Sequence, residues 1–129
     1  MSESFELHKL TQYIKYQYPN LIYRIDVGAD LKLSIGMAKK NKALQMTKRG
    51  YPDIFIAKPK VIDGMLIYGL FIELKASGTK IYKDNGELLK NEHLKEQNDM
   101  HIRLRKENYY ATFIIGFAEA KKIIDWWVK

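Results

Sequence analysis

The sequence predicts an α/β fold, in which helices and strands alternate along one chain. Apolar residues recur at helical spacing in three segments, and short apolar runs of strand length lie between them. In addition, 47% of the 129 residues are hydrophobic, which is enough for one sizeable core. We therefore expect a single domain over residues 1–129, with the element order helix, strand, strand, strand, helix, strand, helix.

The first helix is expected over residues 5–18 and the first strand over residues 21–27. Four apolar side chains share one side of this helix: Leu7, Leu10, Ile14 and Tyr18. Pro19 prevents the helix from continuing. Glu3 and Glu6 fall at its start, where a negative charge is favourable in any helix.

A basic segment follows, and residues 37–47 are expected to form a short helix. Lysine and arginine side chains cluster within it and directly after it: Lys39, Lys40, Lys48 and Arg49. Such a run is often only a solvated surface, but this one leads directly into the candidate site. We therefore expect these side chains to contact nucleic-acid phosphates. Lys80, in a polar excursion over residues 76–90, is expected to do the same.

Two apolar strands with unexpected acidic residues occupy the middle of the chain. The first covers residues 53–57 and begins with Asp53 after a Gly-x-Pro turn, and the second covers residues 65–75 and contains Glu73 near its end. The Asp-Gly pair at 63–64 is a hairpin signal, which makes the two strands antiparallel neighbours. Because the two acids lie at similar distances from this turn, their carboxylates are expected to meet in space.

The same strands predict a divalent-metal site with a lysine beside it. Glu73 and Lys75 are two residues apart, so in a strand they share one face, roughly 7 Å apart at Cα. A carboxylate and an ammonium that enter a core together cost free energy unless they pair or hold a cation. Carboxylate oxygens suit Mg²⁺ or Mn²⁺. The chain has no cysteine, and its three scattered histidines argue against a zinc site.

The last three elements are a helix over residues 92–106, a buried strand over residues 111–116 and a closing helix over residues 117–128. Gln97 lies on the inner stripe of the first of these, where an apolar side chain would be expected. It is therefore either a hydrogen-bonded core amide or a side chain that faces the acidic cluster.

The net charge points to a polyanionic partner. The excess of 22 Lys and Arg over 15 Asp and Glu gives +7. A positive field favours nucleic acid, although a basic surface can serve solubility alone. No apolar run approaches the length of a membrane span, and the N-terminus lacks the apolar stretch of a signal peptide. We expect a cytoplasmic protein without a membrane partner.

Two of these segments, Gly50-Tyr51-Pro52-Asp53 and Phe71-Ile72-Glu73-Leu74-Lys75, resemble the PD-(D/E)xK nuclease superfamily and, within it, the VRR-NUC family. Gln97 matches that family's downstream glutamine, and the element order is similar to the superfamily's αβββαβ core across essentially the whole chain. Chance produces Glu-x-Lys often, but the combination with Gly-x-Pro-Asp and the later glutamine is far more specific. The resemblance implies a restriction-endonuclease-like α/β fold, with a central mixed sheet flanked by helices. It also implies a standalone, phage-type nuclease in which Gln97 belongs to the catalytic set.

The resemblance also implies roles for individual residues. Asp53 and Glu73, helped by the backbone carbonyl of Leu74, would bind Mg²⁺ or Mn²⁺, and Lys75 would orient or activate the attacking water. Members of the family also carry a glutamate on the first helix. Spacing to the later apolar positions suggests Glu3 for this acid, and Glu6 is the nearest rival.

Small standalone proteins of this family are similar to phage-type Holliday junction resolvases, which act as homodimers on branched DNA. The resemblance therefore implies a Mg²⁺- or Mn²⁺-dependent DNA endonuclease, selective for branched DNA and homodimeric. Two other interpretations remain. One is a non-catalytic nucleic-acid-binding module on a nuclease scaffold, which would have no reason to keep buried charges. The other is a structural ion pair of Glu73 with Lys75 in an unrelated α/β protein, which would leave Asp53 and Gln97 unexplained.

Overall fold

The computed structural model describes residues 2–26, 34–46 and 49–129. Within these ranges the chain forms four helices and six strands. In chain order they are α1 (Glu3–Gln17), β1 (Tyr23–Ile25), α2 (Ile35–Leu44), β2 (Ile54–Ile56), β3 (Lys60–Ile62), β4 (Met65–Ile67), β5 (Leu70–Lys75), α3 (Glu92–Lys106), β6 (Tyr110–Ile115) and α4 (Gly116–Val128). None of the described helices combines the length and apolarity needed to cross a membrane.

The central sheet is mixed, as predicted. Its strand order is β1-β2-β5-β6. The first two pairings are antiparallel, and β5 and β6 are parallel. Parallel neighbours need a long crossover connection, which the excursion after β5 and helix α3 provide here. The sheet therefore brings β2 and β5, the two strands with the candidate acids, side by side at its centre.

The predicted single hairpin between these two strands is wrong in one respect. A separate two-stranded ribbon of β3 and β4 interrupts it, with the turn at Asp63 and Gly64 where the sequence places it. Both turn residues have positive φ, 50° and 77°, as the tight turn of such a ribbon requires. The interruption coincides with a shift of one residue in the pairing register, from Ile56 opposite Leu70 in the sheet to Lys60 opposite Ile67 in the ribbon, as a β-bulge produces.

Two other predicted boundaries also need correction. The first strand, expected over residues 21–27, pairs with β2 only over Tyr23–Ile25, and Val27 lies outside the described residues. The basic helix expected over residues 37–47 runs from Ile35 to Leu44, because Ser34 accepts a hydrogen bond from the N–H of Met37 and begins the helix earlier.

Helices cover the two faces of the sheet unequally. Helices α1 and α4 pack on one face, and the core between them and the sheet consists of Leu7, Leu10, Ile14, Ile54, Ile56, Leu70, Ile72, Leu74, Ala120, Ile124 and Trp127. Helix α3 packs against β6, where Leu94, Phe113 and Ile81 form a second, smaller core. Because side chains alternate along a strand, the residues between those of the first core point to the second face of the sheet.

Candidate metal centre

Strand alternation places the candidate acids and the lysine on the second face of the sheet. In β2, Ile54 is fully buried in the first core, so Asp53 directly before it has the opposite orientation. In β5, Leu74 belongs to the same core and lies between Glu73 and Lys75, which therefore both point away from it. The expectation that Glu73 and Lys75 share a face follows directly from this alternation.

Register brings Asp53 beside Glu73. Ile54 pairs with Ile72, so the next position on each antiparallel strand joins the two acids. The backbone N–H of Leu74 donates a 3.1 Å hydrogen bond to Oδ2 of Asp53, which fixes the carboxylate against β5. Glu73 is buried and Asp53 half-buried, so both carboxylates are partly removed from water.

A third acid joins them from the first helix. One carboxylate oxygen from each of Glu3, Asp53 and Glu73 lies within 4.8 Å of the other two. Glu3 occupies the first turn of α1, whose start is fixed by a 3.1 Å hydrogen bond from the N–H of Phe5 to Oγ of Ser2. Of the two helix-one candidates, Glu3 is therefore the one that lies with the other acids.

Glu6 has a different set of contacts. Its carboxylate accepts hydrogen bonds from the N–H of Ser77 at 2.9 Å, from the hydroxyl of Ser77, and from the N–H of Phe117 at 3.3 Å. Phe117 lies in the first turn of α4, where Ile115 provides no side-chain cap, so Glu6 supplies the negative charge that this helix end favours. Burial opposes ionisation, but these hydrogen bonds outweigh it and lower the pKa of Glu6. Glu6 thus fastens α1 to α4 and to the segment after β5.

Lys75 is held by Gln97 rather than by an acid. Its Nζ donates a 2.8 Å hydrogen bond to Oε1 of Gln97, and Nε2 of Gln97 lies 3.3 Å from Nε2 of His93. Among the described residues Lys75 forms no salt bridge with Glu73; the two salt bridges there are Lys80–Asp84 and Lys83–Glu87. The structure therefore contradicts the interpretation of Glu73 and Lys75 as a structural ion pair. It also explains the amide on the inner stripe of α3.

The electrostatics of the acid pair follow from its burial. Burial raises the pKa of Glu73, and the hydrogen bond and charge of Asp53 raise it further. Burial also raises the pKa of Asp53, although its hydrogen bonds with Glu73 and with Leu74 oppose this. Two carboxyls in one site retain a proton between them unless a cation neutralises them. The donors of Glu3, Asp53 and Glu73 are all carboxylate oxygens, and such a set fits a hard divalent cation such as Mg²⁺ or Mn²⁺.

None of the described basic residues expected to contact phosphate lies on β2 or β5, the two central strands of the site. Those that the structure describes are all exposed: Lys39, Lys40, Arg49 and Lys80. Lys48 lies outside the described residues. The first two belong to α2, in which no residue is buried. Lys80 forms a 3.1 Å salt bridge with the fully exposed Asp84.

Arg49 precedes the turn that positions Asp53. At Gly50 the backbone has φ of +91°, and a Cβ there would overlap the carbonyl oxygen of Glu96 on α3. Only glycine permits this close approach in that conformation. The turn is thereby locked against the helix that carries Gln97, so Asp53 and Gln97 are held in one arrangement.

Sequence reasoning missed the contacts of Ser77 and His93 and a group of aromatic side chains beside the acids. Phe55 and Phe71 have the same strand parity as Asp53 and Glu73, so alternation alone is sufficient to place them on the same face. No comparable signal in the sequence connects Ser77 with Glu6, because that contact depends on how α1 packs across the sheet.

Comparisons with known proteins bear on the fold. No protein-family model matches the chain, and no curated protein matches it. Among solved structures, the chain is similar to a "VRR_NUC domain protein", with a TM-score of 0.63 and 19% sequence identity, over 99% of this chain and 88% of the other. At this level of identity the likeness shows the fold alone. The predicted fold class, a mixed sheet flanked by helices in the arrangement of a VRR-NUC domain, is confirmed.

Proposed function

We propose that this chain is a metal-dependent DNA endonuclease that hydrolyses phosphodiester bonds with Mg²⁺ or Mn²⁺. The observation that carries the proposal is the convergence of Glu3, Asp53 and Glu73 within 4.8 Å, with Lys75 two residues from Glu73 on the same face. Three converging carboxylates in a partly buried site cost free energy unless a proton or a cation neutralises their charge. The shared fold of a VRR_NUC domain protein supports the same conclusion.

The ligands proposed for the cation are the carboxylates of Asp53 and Glu73 and the backbone carbonyl of Leu74, with Glu3 as a further acid. The N–H of Leu74 points towards Asp53, and in a strand the N–H and C=O of one residue point to the same side. The carbonyl of Leu74 is therefore directed towards the cluster. A bound divalent cation lowers the pKa of a water molecule and neutralises charge on the phosphate.

Lys75 acts on the reacting atoms, and Gln97 holds Lys75 in position. The ammonium of Lys75 orients the attacking water and stabilises the negative charge that develops on the phosphate. Gln97 accepts its hydrogen bond at 2.8 Å, which restricts a flexible side chain to one position. Because Gln97 is buried and itself contacts His93, this position is set before DNA binds.

The partner proposed is DNA, and the preferred substrate is branched DNA, such as a Holliday junction or a flap, cut by a homodimer. The charge of +7 and the exposed lysines and arginine support a polyanionic partner. Selectivity for branched DNA and dimerisation are supported by the resemblance of the Gly-x-Pro-Asp and Glu-x-Lys segments to the VRR-NUC family, whose small standalone members are similar to phage-type resolvases. A dimer would place two sites on related strands of a junction.

Cleavage assays test the proposal. The purified protein is incubated with duplex, flap and four-way junction DNA in Mn²⁺, and cleavage of a branched substrate is expected, with none in EDTA and binding alone in Ca²⁺. Glu73→Ala and Lys75→Ala should abolish cleavage, while the exposed matched controls Glu119→Ala and Lys15→Ala should cleave as the wild type does. Full activity in Glu73→Ala would refute the mechanism.

Two other outcomes separate the parts of the proposal. DNA binding with no cleavage of any substrate would indicate a binding module on a nuclease scaffold. A monomer in light scattering during active cleavage would contradict the homodimer and leave the nuclease activity standing.

A further inference from the structure

A line of one arginine and two phenylalanine side chains lies next to the acids on the second face of the sheet. Arg24 pairs with Phe55, and Phe55 pairs with Phe71, so these three side chains form one line across β1, β2 and β5. Asp53 and Glu73 lie two residues further along the same strands and therefore on the same face, about 7 Å away. A DNA strand bound across the two acids would therefore next contact this line of side chains.

The two phenylalanines belong to a continuous group of five aromatic rings, which we call the aromatic row: Tyr51, Phe55, Tyr68, Phe71 and Tyr109. Phe55 stacks on Phe71 with 4.5 Å between ring centroids. Tyr51 and Tyr109 meet Phe71 edge to face at 5.6 and 5.3 Å, and Tyr109 meets Tyr68 at 6.0 Å. The row thus extends from the turn that holds Asp53 to the far end of β5.

Much of this row is accessible. Phe71 is buried at its centre, but Tyr51 is 52% and Tyr68 51% exposed. None of the five rings belongs to either of the two hydrophobic cores that the described residues form. Helices α1 and α4 lie on the opposite face, and α3 packs against β6. A contiguous patch of exposed apolar side chains marks a binding surface, whereas a single exposed apolar residue needs no such explanation.

Charge decides which partner this surface fits. Arg24 is exposed and pairs with Phe55 across β1 and β2, and the exposed Arg49 is two residues from Tyr51. The net charge of +7 favours a polyanion as the partner of this surface. Aromatic faces with neighbouring arginines are the combination that holds bases and phosphates of single-stranded nucleic acid.

We infer that the aromatic row binds unpaired nucleobases of DNA, so that the strand cleaved at the acids carries single-stranded nucleotides on the side of Tyr51 and Tyr68. This inference rests on the proposed function and specifies its substrate. Bases within a duplex are stacked on one another and offer no free face, so continuous duplex gains nothing from these rings. Branch points, flaps and single-stranded ends gain affinity there.

Binding measurements without catalysis test the inference. Fluorescence anisotropy in EDTA compares a labelled oligothymidylate of about 12 nucleotides, within the usual range of single-strand sites, with a blunt duplex of equal length. Tyr51→Leu and Tyr68→Leu should each weaken binding of the oligothymidylate roughly tenfold, the loss expected for one stacked base, with a loss below about twofold for the duplex. Tyr51→Phe keeps the ring and should bind as the wild type does. Tyr16→Leu, on α1 with 87% exposure, is the matched control.

The inference is overturned if both leucine variants, still folded by circular dichroism, bind the oligothymidylate as the wild type does. Equal losses for single strand and duplex would also overturn it. A third contrary result is a change of the leucine variants from dimer to monomer in light scattering, with unaltered DNA affinity. That result would assign the surface to a second copy of the chain. These binding results are independent of the nuclease assay, because they involve neither a metal nor cleavage. If the protein cleaves DNA but the leucine variants bind the oligothymidylate normally, only the inference is removed. If binding depends on the rings but no DNA is cleaved, only the proposed nuclease is removed.

Discussion

His101 gives a prediction about stability that can be worked out quantitatively. His101 belongs to α3, its side chain is fully buried, and its ring meets that of Phe113 edge to face at 4.6 Å. Neither ring nitrogen has a hydrogen-bond partner in the part of the chain that the structure describes. Burial lowers the pKa of His101 to about 4, and the charges of Arg105 and Lys75 act in the same direction. The imidazole is therefore neutral in the folded protein near neutral pH.

The size of the effect follows from the difference between the two states. The unfolded chain binds a proton on this side chain near pH 6.5, and the folded chain only near pH 4. Between these values the unfolded state holds more protons, so the free energy of unfolding falls as pH falls. Each pH unit changes it by about 1.4 kcal/mol, which gives a loss of roughly 3 kcal/mol over the window.

The perturbation is His101→Leu, which keeps the apolar volume and removes two polar atoms without partners. We expect the variant to be more stable than the wild type by about 1–2 kcal/mol near neutral pH, the usual cost of an unsatisfied buried polar group. It should also lose less stability in acid, because no proton can bind at this position in the unfolded state. Urea unfolding followed by circular dichroism, repeated at several pH values in that window, measures both effects. The exposed His8→Gln is the control and should retain the wild-type slope.

The reasoning would be refuted if His101→Leu were less stable than the wild type near neutral pH and showed the same dependence on pH. That result would mean that the imidazole makes favourable polar contacts in solution.

Two further substitutions test how the site is held in place. Gly50→Ala should lower the free energy of unfolding by roughly 2–5 kcal/mol, because alanine combines a strained left-handed backbone with a clash against the Glu96 carbonyl. Thermal melts measure this loss of stability. An unchanged melting temperature would contradict the close approach of Gly50 to Glu96. Glu6→Gln should lower it by about 2 kcal/mol through weaker hydrogen bonds to Ser77 and Phe117, with cleavage retained at temperatures where the variant is folded. Loss of cleavage in folded Glu6→Gln would move this acid into the catalytic set.

Much of the site could be predicted because local rules determine it. Asp53, Glu73 and Lys75 are placed by strand alternation and by the Asp-Gly turn, and both operate over short stretches of chain. The break in the apolar stripe of α3 identifies Gln97 as unusual. Its partner could not be read from the sequence, because the contact with Lys75 depends on how α3 packs across β6.

The choice between Glu3 and Glu6 shows where sequence reasoning ends. Both acids lie in the first turn of α1. By helical spacing Glu3 falls on the stripe of Leu7 and Leu10, and Glu6 falls a little to one side of it. Which of them meets Asp53 depends on the tilt of α1 against the sheet and on the position of α4, which supplies an N–H to Glu6. These are tertiary relationships between segments that are distant in the sequence; Glu6 and Phe117, for example, are 111 residues apart.

The central claim is that Glu3, Asp53 and Glu73 share one divalent cation, and calorimetric titration with Mn²⁺ tests it most directly. The account predicts that the wild type binds Mn²⁺ and that Glu3→Gln, Asp53→Asn and Glu73→Gln each weaken binding at least about tenfold. Glu6→Gln, three residues from Glu3 on the same helix, should bind Mn²⁺ as the wild type does. Unaltered affinity in the first three variants, or a wild type that binds no Mn²⁺, would contradict the account.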